Sequence, residues 1–376
     1  MGEEMHEKKR VPAIRFAGFT EPWEQRKLGD ECLEIIAGGD VDKIKLKKNG
    51  KYPVLANALS DKGIVGYYDD YYRVKAPAVT VTGRGDVGHA QARKVNFTPV
   101  VRLLSLTSKH DVDFLAEAIN QKDTILESTG IPQLTVPKLA SYRIYFPPTF
   151  DEELRIGKYF STLDNLITLH QRKCDALKKV KKSLLQKMFP KEGSVVPEIR
   201  FAGFTEAWEQ RKLEDIFKEY SEKNHAELPP LTIIQGQGTI LRNKSDRHLS
   251  YDKESLSGYK FVKKGDFIVH LRSFEGGLEI AKSDGIISPA YHTLHSDVAN
   301  SNFYYPYFRS HNFINNKLKN CVYGIRDGKS INLQEMKKIK ISYTNIREQE
   351  CIAKIFTNMD NLITLHQHEN LKGGLL

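Results

Sequence analysis

The sequence predicts an α+β protein built as an internal repeat: two globular lobes of mixed α/β structure, separated by two long helices that pair as a coiled coil. Three observations predict it. Residues 11–30 read VPAIRFAGFTEPWEQRKLGD and residues 196–215 read VPEIRFAGFTEAWEQRKLED, identical at 17 of 20 positions. The octapeptide DNLITLHQ stands at 164–171 and returns letter for letter at 360–367. Between these echoes strand-like and helix-like segments alternate, and the two halves look unrelated. A period of about 190 residues is too long for a solenoid and points to a duplicated domain pair.

The 376 residues suffice for two domains with real cores, and 40% apolar content suits a globular chain. No apolar run reaches the ~20 residues that span a bilayer, and MGEEMHEKKR at the N-terminus has no signal-peptide core. A cytoplasmic protein with no membrane partner is therefore expected. Cys32, Cys174, Cys321 and Cys351 are scattered, without CxxC spacing, and are expected to be reduced packing residues. The formal charge of +10 and pI near 9.1 favour a polyanionic partner, because phosphate contacts release condensed counterions.

Pro12 and Pro197 open the two copies, and each copy carries one of the two tryptophans, Trp23 and Trp208. Both are expected to anchor a core. The first insert, 35–147, contains strand patterns at 77–82 (PAVTVT) and 142–146 (YRIYF) and a helical pattern at 111–120 (DVDFLAEAIN). The second, 217–345, contains strand patterns at 260–271 (KFVKKGDFIVHL) and 337–343 (KKIKISY). From 151 to 189 there is one glycine, Gly157, and no proline. Phe160, Leu163, Ile167, His170, Cys174, Leu177, Leu184 and Met188 recur there at alternating steps of three and four, with one step of seven from Leu177 to Leu184, which makes a one-sided helical seam. Such a helix reaches ~58 Å at 1.5 Å per residue, and Pro190 and Gly193 stop it. A second helix starts near Arg347 with Ile352, Phe356, Met359, Ile363 and His366 on its seam. Each seam needs a partner face, and the simplest partner is the other helix. The reading divides the chain into a lobe at 11–150, a helix at 151–190, a lobe at 196–345 and a shortened helix at 346–376. The stretch 177–188 of the first helix lacks a full counterpart, so either the chain is shortened or another subunit covers it.

Motifs of catalysis are missing. GRGDVG at 83–88 lacks the lysine and hydroxyl of a phosphate loop, and no GxSxG, HExxH, CxxC or Asn/Asp-Pro-Pro-aromatic motif occurs. The Arg-Gly-Asp at 84–86 reads as an accident of a glycine turn. Glu152 and Glu153 are expected to form a solvated first helical turn. No catalysis, no metal and no cofactor are expected in this chain.

The layout Trp-Glu-x-x-x-Leu, variable insert, strand, acidic helix start and DNLITLHQ resembles the specificity subunit of type I restriction-modification systems. REQECIAKIFTNMDNLITLHQ (347–367) is its most specific part; DEELRIGKYFSTLDNLITLHQ (151–171) departs at Glu153, where the other copy has Gln349. YPVLANALSDKGIVGYYDDYY, AVTVTGRGDVGHA and GIRDGKSINLQEM are similar to that family's target-recognition inserts. The resemblance covers nearly the whole chain. It implies two target-recognition domains that each read one half-site of double-stranded DNA, held about one helical turn (~34 Å) apart by an antiparallel helix pair. It also implies methyltransferase subunits, in two copies, docked on the repeated frame, and a restriction/translocase subunit that joins them. S-adenosylmethionine, ATP and magnesium would belong to those partners. The other reading is a structural adaptor that assembles DNA-processing subunits without reading sequence.

Residue types suggest the DNA contacts. Arg84 sits in the glycine turn, with Arg93, Lys94, Lys47 and Lys48 as further cations. Gln91, Asn57 and Gln133 carry amides suited to adenine. Tyr67, Tyr68, Tyr71 and Tyr72 form an aromatic run for which sheet packing is the favoured role. In the second insert the candidates are Arg272, Arg326, Lys329 and Tyr291 beside Gly or Ser turns, and Arg242, Lys244 and Arg247 in a polar loop. The lysines between 178 and 187 read as a solvated outer helix face.

Overall fold

A computed structural model describes residues 9–123, 132–245, 253–269, 277–324 and 330–373. The chain forms two compact units, Met1–Thr168 and Leu169–Leu376.

In the first unit the strands are β1 (Lys9–Arg10), β2 (Trp23–Lys27), β3 (Cys32–Ala37), β4 (Tyr52–Leu55), β5 (Ile64–Tyr68), β6 (Ala78–Thr82), β7 (Ala90–Arg93), β8 (Thr98–Pro99), β9 (Leu103–Ser108) and β10 (Arg143–Phe146). The helices are α1 (Leu28–Glu31), α2 (Val112–Asn120), α3 (Val136–Ala140) and α4 (Phe150–Lys187), the last ending in the second unit. The second unit adds β11 (Glu209–Lys212), β12 (Lys218–Tyr220), β13 (Leu231–Ile234), β14 (Gly238–Leu241), β15 (Lys260–Val262), β16 (Phe267–Val269), β17 (Glu279–Ile280), β18 (Gly285–Ile287), β19 (His292–His295), β20 (Val322–Tyr323), β21 (Ser330–Ile331) and β22 (Lys340–Tyr343). Its helices are α5 (Leu213–Ile216), α6 (Ser301–Phe308), α7 (Leu333–Lys337) and α8 (Ile346–Gly373).

The inserts that look unrelated in sequence share one topology. The first has a four-stranded antiparallel sheet in the order β3-β9-β6-β7, and the second has β12-β19-β16-β17. These are the same connections with different side chains. In each unit a helix follows the second strand of that order: α2 after β9, α6 after β19. Their N-caps are Asp111 and Asn300, whose side chains accept from the Phe114 and Phe303 amides. Sequence comparison misses this because backbone groups make the strand pairing, and many different residue sets can fill the faces of such a sheet.

The duplicated frame is where the sequence repeat becomes packing. β2 pairs antiparallel with β10, and β11 with β22. In both copies a leucine closes the turn that follows: Leu28 N donates to Tyr142 O and Leu213 N to Ile339 O, each at 2.8 Å, with both leucines fully buried. Trp208 is core, as expected, while Trp23 is half-buried against its core.

Several expectations are corrected. Residues 260–271 do not form one strand: Gly265, at φ +95°, turns the chain between β15 and β16, which pair in different sheets. Residues 270 and 271 lie outside the described residues. Of 337–343, Lys337 ends α7 and only 340–343 is strand. Three cysteines are buried or half-buried, but Cys351 is exposed, because it points away from the α8 seam. Helix α4 ends at Lys187, just before Pro190. Gly157 is needed there for close approach, since a Cβ would come within 2.1 Å of Asp111 Oδ1 at the α2 cap.

The seam of α4 holds. Phe160, Leu163, Ile167, Leu177 and Leu184 are half-buried and Cys174 and Met188 buried, while Lys178, Lys179, Lys182 and Lys187 are exposed. Within the second unit the C-terminal part of α4 runs antiparallel to α8. His170 meets His366, Lys181 Nζ meets Asp360 Oδ1, and Met188 and Phe189 join one core with Ile352 and Phe356. Phe356, Met359 and Ile363 are buried on α8.

The acidic start of α4 is not solvated. Glu152 and Glu153 are 0% and 2% exposed, and so are their counterparts Glu348 and Gln349, both 0%. Each first residue is held by the duplicated segment. Arg15 donates from Nε and Nη2 to the two Glu152 oxygens at 2.6 and 2.7 Å, and Trp23 Nε1 donates at 3.1 Å. Arg200 and Trp208 repeat this on Glu348 at 2.7, 2.9 and 3.1 Å. Two-pronged guanidinium–carboxylate pairing needs planar donors at fixed spacing, so Arg, Trp and Glu are retained together.

The neighbouring residue explains the Glu153/Gln349 departure. Glu153 accepts from the Asp111 amide and meets His110 Nδ1 at 2.7 Å; His110 Nε2 meets Glu31 at 2.9 Å. In the second unit these three positions are Gln349, Ala299 and Ile216, and Gln349 Oε1 accepts from the Asn300 amide. One unit thus carries a buried charge cluster where the other is neutral. Burial disfavours both charged forms in the cluster. The hydrogen bonds His110 donates to Glu153 and Glu31 nonetheless leave it raised, and those that Glu31 accepts from His110, Lys109 and Arg26 hold it at about 2. The His110 contribution is full below its ordinary range near ~6.5 and is lost as pH rises through the raised value. The Glu31 contribution is present above its ordinary ~4.5 and is lost as pH falls toward about 2. Replacing Glu31, His110 and Glu153 by Ile, Ala and Gln should flatten the pH dependence of chemical denaturation. The native chain's relative advantage should peak near about pH 5–6; parallel profiles would refute the coupling.

Candidate nucleic-acid interface

Polar residues of the first insert gather on the β6–β7 hairpin. β7 reads as a strand with Ala90 turned to the core and Ala92 packed against it, so the alternating His89, Gln91 and Arg93 share the other face. With Thr80, Thr82, Ala56, Ala58, Leu59 and Leu103 they line a small basin of about 60 Å³. Arg93 is at the end of a strand rather than in a loop. Its Nε donates to Thr80 Oγ1 at 2.9 Å and its Nη1 to Lys62 O at 3.0 Å. Burial lowers its pKa to about 10, so it stays cationic at neutral pH. A cation fixed this way presents its remaining donors with little rotamer freedom left to lose.

The hairpin turn carries Arg84, exposed, between Gly83 and Gly85. Its backbone bridges to Gln133, while Gln91 and Arg93 lie along β7 opposite Thr80 and Ala78, with Arg93 at the end of the hairpin away from that turn. Other candidates are engaged elsewhere. Asn57 uses its amide on backbone, donating to Val101 O and accepting from Gly83 N, which leaves it a structural role. Lys94 pairs with Asp113 at 2.7 Å, and Lys47 with Asp69. Of the tyrosine run, Tyr68 is buried and Tyr67 half-buried, while Tyr71 and Tyr72 are exposed.

In the second insert Arg242 lies over the Tyr259 ring at 5.4 Å and donates to its hydroxyl at 3.3 Å. Lys260 Nζ donates to Tyr291 O at 2.6 Å, and Tyr291 packs on the β15–β18 cluster, where burial raises its hydroxyl pKa. Arg242, Tyr259, Lys260 and Tyr291 thus form a basic aromatic group. Lys244 is exposed. Arg247, Arg272, Arg326 and Lys329 lie outside the described residues.

Sequence reasoning missed His89 and Tyr259. The HAQAR alternation at 89–93 was a readable signal for the first; nothing local marked the second. A larger cavity of about 480 Å³ opens on the second frame, lined by Glu206, Glu209, Asp297 and Tyr343 among others. Its acidic residues have the wrong sign for phosphate. Among the described residues no three His, Cys, Asp or Glu side chains converge as a metal site, and no helix is long and apolar enough to cross a membrane.

The family model for the type I restriction modification DNA specificity domain matches residues 20–179 and 205–372. The chain belongs to that family. It is a type I specificity subunit in sequence, with both copies of the domain present. The MjaVIII type I restriction enzyme specificity subunit of Methanocaldococcus jannaschii is 23% identical over 384 residues, covering 93% of this chain and 88% of that protein. A further specificity-subunit relative from the same archaeon, MjaX, is 24% identical over 388 residues, covering 93% and 90%. The crystal structure of the type I restriction-modification S subunit from M. genitalium matches with a TM-score of 0.67 at 14% identity, covering 98% of this chain and 96% of that one. That similarity establishes the fold: the specificity-subunit architecture, with two mixed α/β domains and long coiled-coil helices.

Proposed function

We propose that this specificity subunit reads a split, asymmetric target on double-stranded DNA, one half-site per insert, and catalyses nothing itself. The observation that carries the proposal is one sheet order and one Arg–Trp–Glu frame used twice, with different polar groups displayed on each copy. A repeated frame offers equivalent docking surfaces to two copies of a methyltransferase subunit, and a restriction/translocase subunit completes the assembly. S-adenosylmethionine, ATP and magnesium act in those partners. The paired helices set the gap between half-sites.

In this reading Arg93, with Gln91 and His89 beside it, reads a base, and Arg84 at the exposed turn holds phosphate. Arg93→Ala should cost about 1–3 kcal/mol of binding and relax preference at one base pair. Arg84→Ala should weaken all sequences evenly and reduce the salt slope by about one. Both are read by titrating the methyltransferase complex with target and scrambled duplexes at several salt concentrations. Equal affinity of the native complex for both duplexes would instead favour a non-sequence-specific adaptor.

A further inference from the structure

We propose that His170 and His366 form a divalent transition-metal site that clamps the two helices of the second unit. Both are the seventh residue of the identical octapeptide DNLITLHQ, one on α4 and one on α8. When two copies of one segment pack antiparallel, one position faces its own copy, and here that position is histidine. Nδ1 of His170 stands 3.1 Å from Nδ1 of His366, with ring centroids 5.2 Å apart and planes inclined by 43°.

The spacing suits a shared ion. With metal–nitrogen bonds of about 2.0–2.1 Å, two imidazole nitrogens lie roughly 3.0 Å apart at a right angle and roughly 3.3 Å apart at a tetrahedral one. The observed separation falls between them; it is spanned here by a hydrogen bond from one Nδ1 to the other, so binding would displace that proton and turn the rings toward a common ion. Both side chains are half-buried, and water would complete the coordination sphere of a bound ion. No third His, Cys, Asp or Glu converges on the pair among the described residues. Cys174, one turn along α4 and buried, belongs to the packing. Two imidazoles with open water positions favour zinc, nickel, copper(II) or cobalt over the oxygen-preferring magnesium and calcium. Occupancy would tie α4 to α8 at one register, beside the Lys181–Asp360 contact.

The test uses the full chain, purified without a histidine tag, melted with NiCl2, ZnCl2 or MgCl2. Nickel and zinc should raise the melting temperature by roughly 5 °C or more at a hundredfold excess over Kd, and EDTA should reverse the rise. His170→Asn and His366→Asn should each abolish the rise, with far-ultraviolet circular dichroism confirming retained helix; Cys174→Ser should keep it. Should either variant misfold, a nickel-dependent crosslink or paramagnetic broadening confined to the native His170 and His366 resonances decides the matter. An equal rise in both Asn variants, loss of the rise in Cys174→Ser, or no response of the native chain would overturn the assignment.

Discussion

Glu348→Ala should unfold the second unit at temperatures the native chain tolerates. The carboxylate is fully buried and receives Arg200, Trp208 and Thr344. Removing it leaves the Arg200 guanidinium, 11% exposed, without its counter-ion and the Trp208 indole NH without its acceptor. Breaking a buried pair from one side costs about 3–5 kcal/mol. For a unit of this size that is a fall of roughly 6–20 °C in melting temperature. Glu348→Gln keeps an acceptor for the indole and should fall less. Glu152→Ala should reproduce the effect in the first unit, where Arg15 and Trp23 take the same places. Differential scanning calorimetry separates the two, because each change should move one transition. A shift under 1 °C in Glu348→Ala would show that the frame does not hold the unit together.

The second large effect is on specificity. Exchanging 35–147 for the corresponding insert of another specificity subunit should replace one half of the recognised sequence and leave the other half intact. The β6–β7 hairpin, with Arg84, Gln91 and Arg93, would travel with the exchange. Frame strand β2 and the α4 start would stay, and the incoming insert would bring its own equivalent of β10 to pair with β2, so docking of the partners should survive. Each lost base contact costs about 1–3 kcal/mol, and several together abolish binding to the old half-site.

Much of the fold was legible before any coordinates. The tryptophan positions, the helix seam and the doubled frame follow from repeats and three-four spacing, which depend on local chemistry. Misreadings arose where partners are distant in sequence. Glu152 and Glu153 look solvated because acidic residues in the first turn of a helix usually face water. Their burial is set by Arg15 and Trp23 more than 120 residues earlier, and by His110 in the connection between β9 and α2. Likewise the shared sheet order of the inserts is invisible in sequence, since the pairings of β3-β9-β6-β7 and β12-β19-β16-β17 are made by backbone groups and the strands carry different residues. At the candidate site the residue types can be read from the sequence, but the partners of each side chain cannot. Arg93 and Gln91 do line one basin, whereas Asn57 is committed to backbone by contacts 26 and 44 residues away.

The central claim is that two unlike readers on a doubled frame define one split target. Mapping modified adenines across the genome of cells carrying the native chain, the 35–147 exchange, or neither tests it most directly. The account predicts a single interrupted motif that vanishes without the chain and changes at one end only in the exchange. A map that is unaltered by removing the chain, or an exchange that alters both ends, would contradict it.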